Sequence, residues 1–210
     1  MTAPRPRRSV LYVPATSARA LSKLESLDCD AVIVDLEDAV APGEKEAARE
    51  AMRAFFGQKR PGRAELVVRI NALSSDWGTE DLLAARACRP DAILLPKVDG
   101  PRDILDADDA LDEMDAGRGL ALWAMIETPR GVLNLREIVE LGRNPSARLA
   151  CLVAGTNDLA KETGVRMTAD RRNLAPWLAQ IVLAARASGL DALDGVSNDF
   201  RNLDAFAAEC

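Results

Sequence analysis

The stretch LALWAMIETPRG, residues 120–131, carries the pattern that decides the fold. Its continuous apolar run ends in one carboxylate, Glu127, and a Thr-Pro-Arg-Gly turn follows. A short continuous apolar run is typical of a strand that is buried on both faces of a parallel sheet. A buried carboxylate is costly unless it is paired or binds a cation, so Glu127 is a candidate functional residue. A surface turn is the alternative explanation for its position.

The same pattern recurs along the chain. Apolar runs that lead into polar residues occupy 10–15, 31–38, 66–71, 92–98, 149–158 and, more weakly, 191–196. Between them, apolar residues recur at helical spacing in 17–27, 43–56, 132–142 and 173–189, and the acidic stretch 99–119 is predicted to be a solvated helix with loops. Strands that alternate with helices predict an α/β fold with a parallel sheet.

The number of predicted strands favours a (β/α)8 TIM-type barrel, with residues 1–210 as a single barrel domain. A doubly wound open sheet is the alternative, but no GxGxxG or GxxxxGK[ST] motif follows a strand, which weakens its nucleotide-binding form. A barrel of this type typically needs about 250 residues. The chain has 210 residues, so the predicted barrel lacks the eighth strand.

Composition and charge exclude several classes of protein. Lys and Arg number 27 against 33 Asp and Glu, and this net charge of −6 argues against non-specific nucleic-acid binding. No apolar run approaches the roughly 20 residues that span a bilayer. The run at 10–15 is too short for a signal peptide and is broken by Pro14, so we predict a cytoplasmic protein without a membrane partner.

The sequence contains no histidine. Ser-His-Asp and Cys-His catalysis and histidine-ligated zinc are therefore excluded. Acid–base chemistry is left to carboxylates, Lys, Tyr, Cys or water. A metal would be bound by oxygen ligands, which favours a hard cation such as Mg²⁺.

In a βα barrel the active site forms at the carboxyl ends of the strands. The polar residues and turns at the predicted strand ends are Pro14, Asp35, Glu37, Asp38, Arg69, Asn71, Lys97, Glu127, Asn157, Asp158 and Asp194. Glu127 and Asp158 lie on adjacent strand ends in this prediction, and two carboxylates with water in the other positions are typical of Mg²⁺ sites.

Several of these residues also have an explanation that requires no metal site. Asp158 is placed to cap the helix that TNDLAKE begins. Asp35 and Glu37 are placed to form a salt bridge with Arg69 or Lys97. Lys97 itself could form a Schiff base, although we consider a metal-assisted reaction the stronger prediction.

Seven segments resemble, in order, one known family. They are RSVLYVPA, VIVDLEDAV, VVRINA, LLPKV, MIETPRG, VAGTNDLA and ALDGVSND. This order resembles the citrate lyase β-subunit family (citryl-CoA lyase-like proteins) of the HpcH/HpaI aldolase superfamily, over about residues 8 to 205. The resemblance implies a Mg²⁺-dependent carbon–carbon lyase that cleaves a 3-hydroxyacyl-CoA thioester, such as citryl-CoA to acetyl-CoA and oxaloacetate. It also implies a homo-oligomer, a trimer or a hexamer.

The resemblance further implies roles for individual residues. The metal ligands are Glu127 and Asp158. The substrate-binding residues are Arg69, Pro14, and Gly155 and Thr156 through their backbone N–H groups. The catalytic residues are Arg69, Glu37 and Asp35, with Glu37 as the first choice for acid–base chemistry or for orienting water. The superfamily's pyruvate aldolases are usually described with a histidine base, so this chain resembles the citryl-CoA branch instead.

The resemblance also leaves alternatives open. Family members usually continue into an eighth strand and a lid, and both are missing from the sequence shown. Whether the chain is active without them is left open by the resemblance. The same site would suit a malyl-CoA or citramalyl-CoA lyase, or a thioesterase. A non-catalytic barrel that holds a metal and a keto acid is the alternative from another class of protein.

Overall fold

The computed structural model describes residues 6–58, 62–199 and 201–210. These residues contain seven strands: β1 Val10–Pro14, β2 Ala31–Asp35, β3 Glu65–Arg69, β4 Ala92–Leu95, β5 Ala121–Ile126, β6 Leu149–Ala154 and β7 Asp191–Leu193. The strands are hydrogen-bonded in sequence order from β1 to β7, and the pairings described in detail, β1 with β2, β2 with β3, β3 with β4 and β6 with β7, are parallel. All seven predicted strands are confirmed in position, and β2 and β3 each end on a polar residue of their run, Asp35 and Arg69.

The described residues also contain nine α-helices. They are α1 Ala18–Leu21, α2 Lys45–Phe56, α3 Gly78–Cys88, α4 Pro101–Glu113, α5 Pro129–Leu133, α6 Leu135–Glu140, α7 Thr156–Thr163, α8 Ala175–Ala187 and α9 Leu203–Glu209. Within the described part of the chain, none of these helices combines the length and the apolar character that crossing a membrane requires. Helices α2, α4 and α8 agree with the predicted segments, whereas α3 and α9 were not predicted.

Two predicted helices are interrupted. The segment 17–27 forms the short α1 and then a 3₁₀ turn, Leu24–Ser26. The Ser22 hydroxyl donates to the carbonyl of Arg19 at 3.0 Å, a local bond of the kind that competes with a continuing helix. The segment 132–142 is divided between α5, α6 and a 3₁₀ turn at Leu141–Arg143, so a continuous helical stripe in the sequence overstated the helix length in both places.

The chain forms two compact units. The first comprises the described residues up to Pro96 together with Leu105–Trp123, and the second comprises Lys97–Ile104 and Ala124–Cys210. Strands β2 and β3 of the first unit are buried along their whole length, as their continuous apolar runs predicted. The single barrel domain over residues 1–210 stays a prediction.

The register of the first unit brings the ends of its strands level. Pro14 of β1 lies opposite Asp35 of β2, and Asp35 lies opposite Arg69 of β3. At the other end of β3, Arg7 forms a two-bonded ion pair with buried Glu65, at 2.7 and 2.8 Å, and its guanidinium lies 4.9 Å from the Trp123 ring centroid. The acid at the amino end of β3 is therefore paired internally, and the polar residues of interest lie at the carboxyl ends.

Candidate active site

In the first unit, Arg69 forms the centre of a buried cluster with Asp35 and Glu37. Arg69 Nε donates to Asp35 Oδ1 at 2.7 Å, and Nη2 donates to Asp35 Oδ2 at 2.5 Å. The third guanidinium nitrogen, Nη1, lies 2.9 Å from Glu37 Oε2. Arg69 and Glu37 are each 8% exposed and Asp35 is 1% exposed. Such a two-bonded pair fixes both the position and the orientation of the guanidinium plane.

The charge of Arg69 is stabilised by its surroundings. Burial by itself would lower the pKa of Arg69, but the hydrogen bond and the charge of Asp35 outweigh it and raise that pKa. The Tyr12 ring lies against the guanidinium, with its centroid 5.3 Å from the central carbon. The structure thus contains the ion pairs that the sequence analysis gave as the simpler explanation for Asp35 and Glu37, and Arg69 is a fixed cation.

The loop after β2 is held by a buried lysine that the sequence analysis missed. Lys45 Nζ donates to the carbonyls of Leu36 and Glu37, each at 2.8 Å, and to Asn71 Oδ1 at 2.9 Å. Burial lowers the pKa of Lys45 in spite of the nearby carboxylates. The available signal was its place on the buried stripe of α2, one turn before Ala48. Lys45 therefore fixes the backbone that carries Glu37.

In the second unit, Lys97 lies between Glu127 and Asp158. The backbone N–H of Lys97 donates to Glu127 Oε1 at 2.8 Å, and its ammonium lies 3.7 Å from the same oxygen. The ammonium also forms an ion pair with Asp158 Oδ2. Burial by itself would raise the pKa of Asp158, but the hydrogen bond and charge of Lys97 outweigh it, so that pKa is lowered. Both predicted metal ligands, Glu127 and Asp158, thus lie next to the same ammonium group, that of Lys97.

The remaining predicted residues lie close to backbone turns. The N–H of Gly155 donates to the carbonyl of Ile126 at 3.0 Å, so this N–H is already used within the chain and is not presented to a substrate carboxylate here. Thr156 is buried at the start of α7. The carbonyl of Pro14 accepts from the N–H of Ser17 at 2.9 Å where β1 ends. Asp194, at the end of β7, is paired with Arg171 at 2.5 and 2.6 Å.

Gly155 allows the Glu127 side chain to lie against the backbone. A Cβ atom at Gly155 would lie 2.3 Å from Glu127 Cβ and 2.6 Å from Glu127 Oε2, distances at which the atoms overlap. The structure shows that Gly155 leaves room for the carboxylate. Its predicted part in substrate binding stays a prediction.

We expect Gly155→Ala to lower the free energy of unfolding by about 1–3 kcal/mol, because the added methyl group must displace Glu127 or the backbone. Gly100→Ala is the matched control in the same unit, since its Cβ would meet only Asn134 Nδ2 at an ordinary 3.8 Å. Urea denaturation measures both variants. Equal midpoints for the two variants would contradict the close approach.

The donor set is suited to a hard divalent cation. In the described ranges, no group of three or more His, Cys, Asp and Glu side chains is arranged to hold a metal. A metal at this position would therefore have Glu127 and Asp158 as its protein ligands, with water or substrate oxygen in the other positions, as is usual for Mg²⁺. The ammonium of Lys97 already shows that this position accommodates positive charge.

The fold and these strand-end clusters define the class of α/β proteins whose polar residues lie at the carboxyl ends of parallel strands. The sequence profile of the HpcH/HpaI aldolase/citrate lyase family matches residues 8–210. The chain belongs to this family, and the resemblance seen in the sequence is confirmed.

Two of the curated relatives of the chain are named for CoA thioesters, and a third is a citrate lyase subunit. The chain is 42% identical over 205 residues to a (3S)-malyl-CoA thioesterase of Cereibacter sphaeroides, covering 98% of this chain and 68% of the relative. It is 34% identical to the mitochondrial citramalyl-CoA lyase of Rattus norvegicus, covering 95% and 62%. It is 32% identical to the citrate lyase subunit beta of Escherichia coli, covering 98% and 68%.

Solved structures of similar proteins share the fold. The CitE protein of Mycobacterium tuberculosis, in complex with magnesium, acetoacetate and coenzyme A, matches with a TM-score of 0.79 and 29% identity over 97% of this chain and 72% of that one. The citrate lyase beta subunit of the same organism, complexed with oxaloacetate and magnesium, matches with a TM-score of 0.77 and 30% identity over 97% and 86%. The predicted fold class is confirmed: α/β with seven parallel strands, and no eighth strand among the residues described.

Proposed function

We propose that the chain acts on the CoA thioester of a small 3-hydroxy di- or tricarboxylic acid and holds Mg²⁺ between Glu127 and Asp158. The observation that carries this proposal is the convergence of both carboxylates on one positive charge in the second unit. The relatives named for malyl-CoA and citramalyl-CoA support the substrate class. The magnesium complexes of the M. tuberculosis proteins support the metal.

The substrate class suits such a site. In malyl-CoA, citramalyl-CoA and citryl-CoA, the carbon that carries the hydroxyl also carries a carboxylate, so two oxygen donors are adjacent. A bound Mg²⁺ would polarise the substrate oxygens that it contacts. Glu127 and Asp158 supply the negative charge that retains the metal, and Gly155 leaves Glu127 the space to do so.

For the first unit we propose that Arg69 stabilises negative charge on the substrate, as a fixed cation in a buried position does. Asp35 occupies two nitrogens of the guanidinium and is 1% exposed, so its part is to position Arg69. Glu37 Oε2 lies 2.9 Å from Nη1, the guanidinium nitrogen that Asp35 leaves, and is the partner that a substrate anion would compete with. Glu37 is therefore our candidate for acid–base chemistry or for orienting water.

Two reactions remain candidates, and the relatives rank them. Hydrolysis adds water across the thioester carbonyl and releases the CoA thiol, and the 42% identity to a thioesterase favours it. Carbon–carbon cleavage breaks the bond between the second and third acyl carbons and releases acetyl-CoA and a 2-oxo acid. The lyase relatives, at 34% and 32% identity, favour this second candidate, which includes the citryl-CoA lyase reaction of the sequence analysis.

Product analysis separates the two reactions. We expect malyl-CoA to release free CoA thiol without acetyl-CoA when Mg²⁺ is present, and EDTA to stop this release because the carboxylate pair then holds no metal. The measurement is chromatography of CoA species, with a thiol assay and a 2-oxo-acid assay, on malyl-, citramalyl- and citryl-CoA.

Acetyl-CoA with an equal amount of 2-oxo acid would assign the lyase reaction instead. Metal binding without any product from the three thioesters would assign the non-catalytic alternative. Turnover that EDTA does not affect would contradict the metal proposal. The trimer or hexamer and the cytoplasmic location stay predictions.

A further inference from the structure

We propose that the Lys97 ammonium is a resident counter-cation, which neutralises Glu127 and Asp158 in the metal-free chain and is displaced when the metal binds. This inference rests on the proposed metal site and assigns a new part to a residue that the sequence offered as a salt-bridge partner or as the site of a Schiff base. Its consequence is that Lys97 sets the metal affinity by competing for the same two carboxylates.

The geometry of Lys97 is directed at these two acids. Its backbone N–H donates to Glu127 Oε1 at 2.8 Å, and its ammonium lies 3.7 Å from the same oxygen while pairing with Asp158 Oδ2. The backbone of Lys97 is left-handed, with φ of 52°. This conformation is uncommon for a residue other than glycine and persists where the surroundings impose it. The backbone N–H and the side-chain ammonium of Lys97 therefore both contact the carboxylate pair.

The charges explain why the two cations exclude each other. Without a counter-cation, Glu127, only 2% exposed, would face the carboxylate of Asp158 with little water to screen the repulsion. The ammonium removes that repulsion in the metal-free chain. Once a divalent ion lies between the same oxygens, the ammonium is a like charge in contact distance of it. The Lys97 side chain is 32% exposed, so it can move towards solvent on its flexible stem.

The chain provides a control for a general effect of charge. Lys161, on α7, also contributes positive charge at Asp158, and it is exposed. Lys161 acts on Asp158 only through its charge at a distance, whereas Lys97 contacts both carboxylates. A resident cation predicts a large effect of removing Lys97 and a small effect of removing Lys161. A general field predicts similar effects from both.

The test is Mn²⁺ and Mg²⁺ titration calorimetry on the metal-free unmodified chain and on Lys97→Met, Lys161→Met and Glu127→Gln. Methionine keeps the length of the side chain, and the backbone N–H bond to Glu127 does not depend on the side chain. We expect Lys97→Met to bind metal about tenfold more tightly, and Lys161→Met to change affinity by less than about threefold. Unchanged or weaker binding in Lys97→Met, or equal changes in both variants, would overturn the inference.

A second measurement needs no variant that might misfold. An amine-acetylating reagent is applied to the unmodified chain with and without saturating Mg²⁺, and the peptides that contain Lys97 and Lys161 are quantified by mass spectrometry. Displacement predicts several-fold faster labelling of Lys97 with metal and an unchanged rate at Lys161, and an unchanged rate at Lys97 would refute displacement. If the unmodified chain shows no binding that Glu127→Gln removes, the metal site itself is wrong, and the inference falls with it.

Discussion

Glu127→Gln should weaken Mg²⁺ binding by about a thousandfold and reduce turnover of the CoA thioester below detection. Glutamine keeps an oxygen that can accept from the Lys97 N–H, so the backbone contact survives, but the negative charge is lost. A unit charge about 4 Å away contributes about 4 kcal/mol at an effective dielectric constant near 20, and each 1.4 kcal/mol corresponds to about tenfold in affinity. Glu127 is nearly inaccessible to water, so solvent screens little of this interaction.

Titration calorimetry with Mg²⁺ and product analysis measure the two effects on the same preparation. Glu137→Gln makes the same chemical change at an exposed position of α6 in the same unit and serves as the control. We expect the control to bind metal and turn over as the unmodified chain does. Retention of metal affinity in Glu127→Gln within a few-fold would remove Glu127 from the ligand set.

Arg69→Met should lower the free energy of unfolding by about 3–5 kcal/mol, the range seen when one partner of a buried ion pair is removed. Asp35 would keep its bonds from the N–H groups of Glu37 and Ala39, at 2.9 and 3.3 Å. It would lose both bonds from the guanidinium, and two buried carboxylates would be left without their cation. Arg69→Lys should recover only part of the loss, since an ammonium cannot make the paired, planar contact.

The control for this prediction is Arg53→Met, also in the first unit. Arg53 and Glu50 form an exposed pair three residues apart on α2, and such pairs contribute about 0–1 kcal/mol. Denaturant unfolding of both variants gives the comparison. A loss below about 1 kcal/mol in Arg69→Met would show that the buried pair contributes no more than a surface pair does.

The origin of the Arg69 effect can be separated from simple loss of packing. A buried carboxylate without a counter-charge is more stable in its protonated form, so Arg69→Met should lose less stability at about pH 5 than at about pH 7. Adding Asp35→Asn to Arg69→Met should restore part of the stability at neutral pH, because it neutralises the orphaned acid. A deficit that is independent of pH, with no recovery in the double variant, would assign the effect to packing.

The strands were predictable because their signal is local. The run AVIVD of β2 is buried at each of its five positions, as a strand covered on both faces requires, and the predicted run extended beyond it over Leu36, Glu37 and Asp38. Helix α3 was missed for a physical reason. Its apolar residues share the buried face with Asp81, which accepts from the Asn71 N–H at 3.0 Å and pairs with Arg49 at 3.0 Å. A charged residue that is buried only because its partners lie elsewhere in the sequence interrupts the apolar pattern by which a helix is recognised.

The candidate site was predictable as a set of residues and unpredictable as a set of contacts. The sequence placed Glu127, Lys97 and Asp158 at strand ends. In the structure Lys97 and Glu127 follow β4 and β5 closely, whereas Asp158 lies in the first turn of α7, which follows β6. No part in the metal site was predicted for Lys97, and a backbone bond to substrate was predicted for Gly155. The structure pairs Lys97 with both acids and uses the Gly155 N–H within the chain.

The sequence by itself determined the strand positions and the acids that end the buried runs, since these depend on neighbours along the chain. Its composition alone excluded histidine chemistry. The tertiary structure alone decided which charges are paired. Lys97 meets Glu127 and Asp158 across separations of 30 and 61 residues, and Arg69 meets Asp35 across 34. Strand register and the left-handed backbone at Lys97 fix those pairs, and both arise from packing between segments that are distant in sequence.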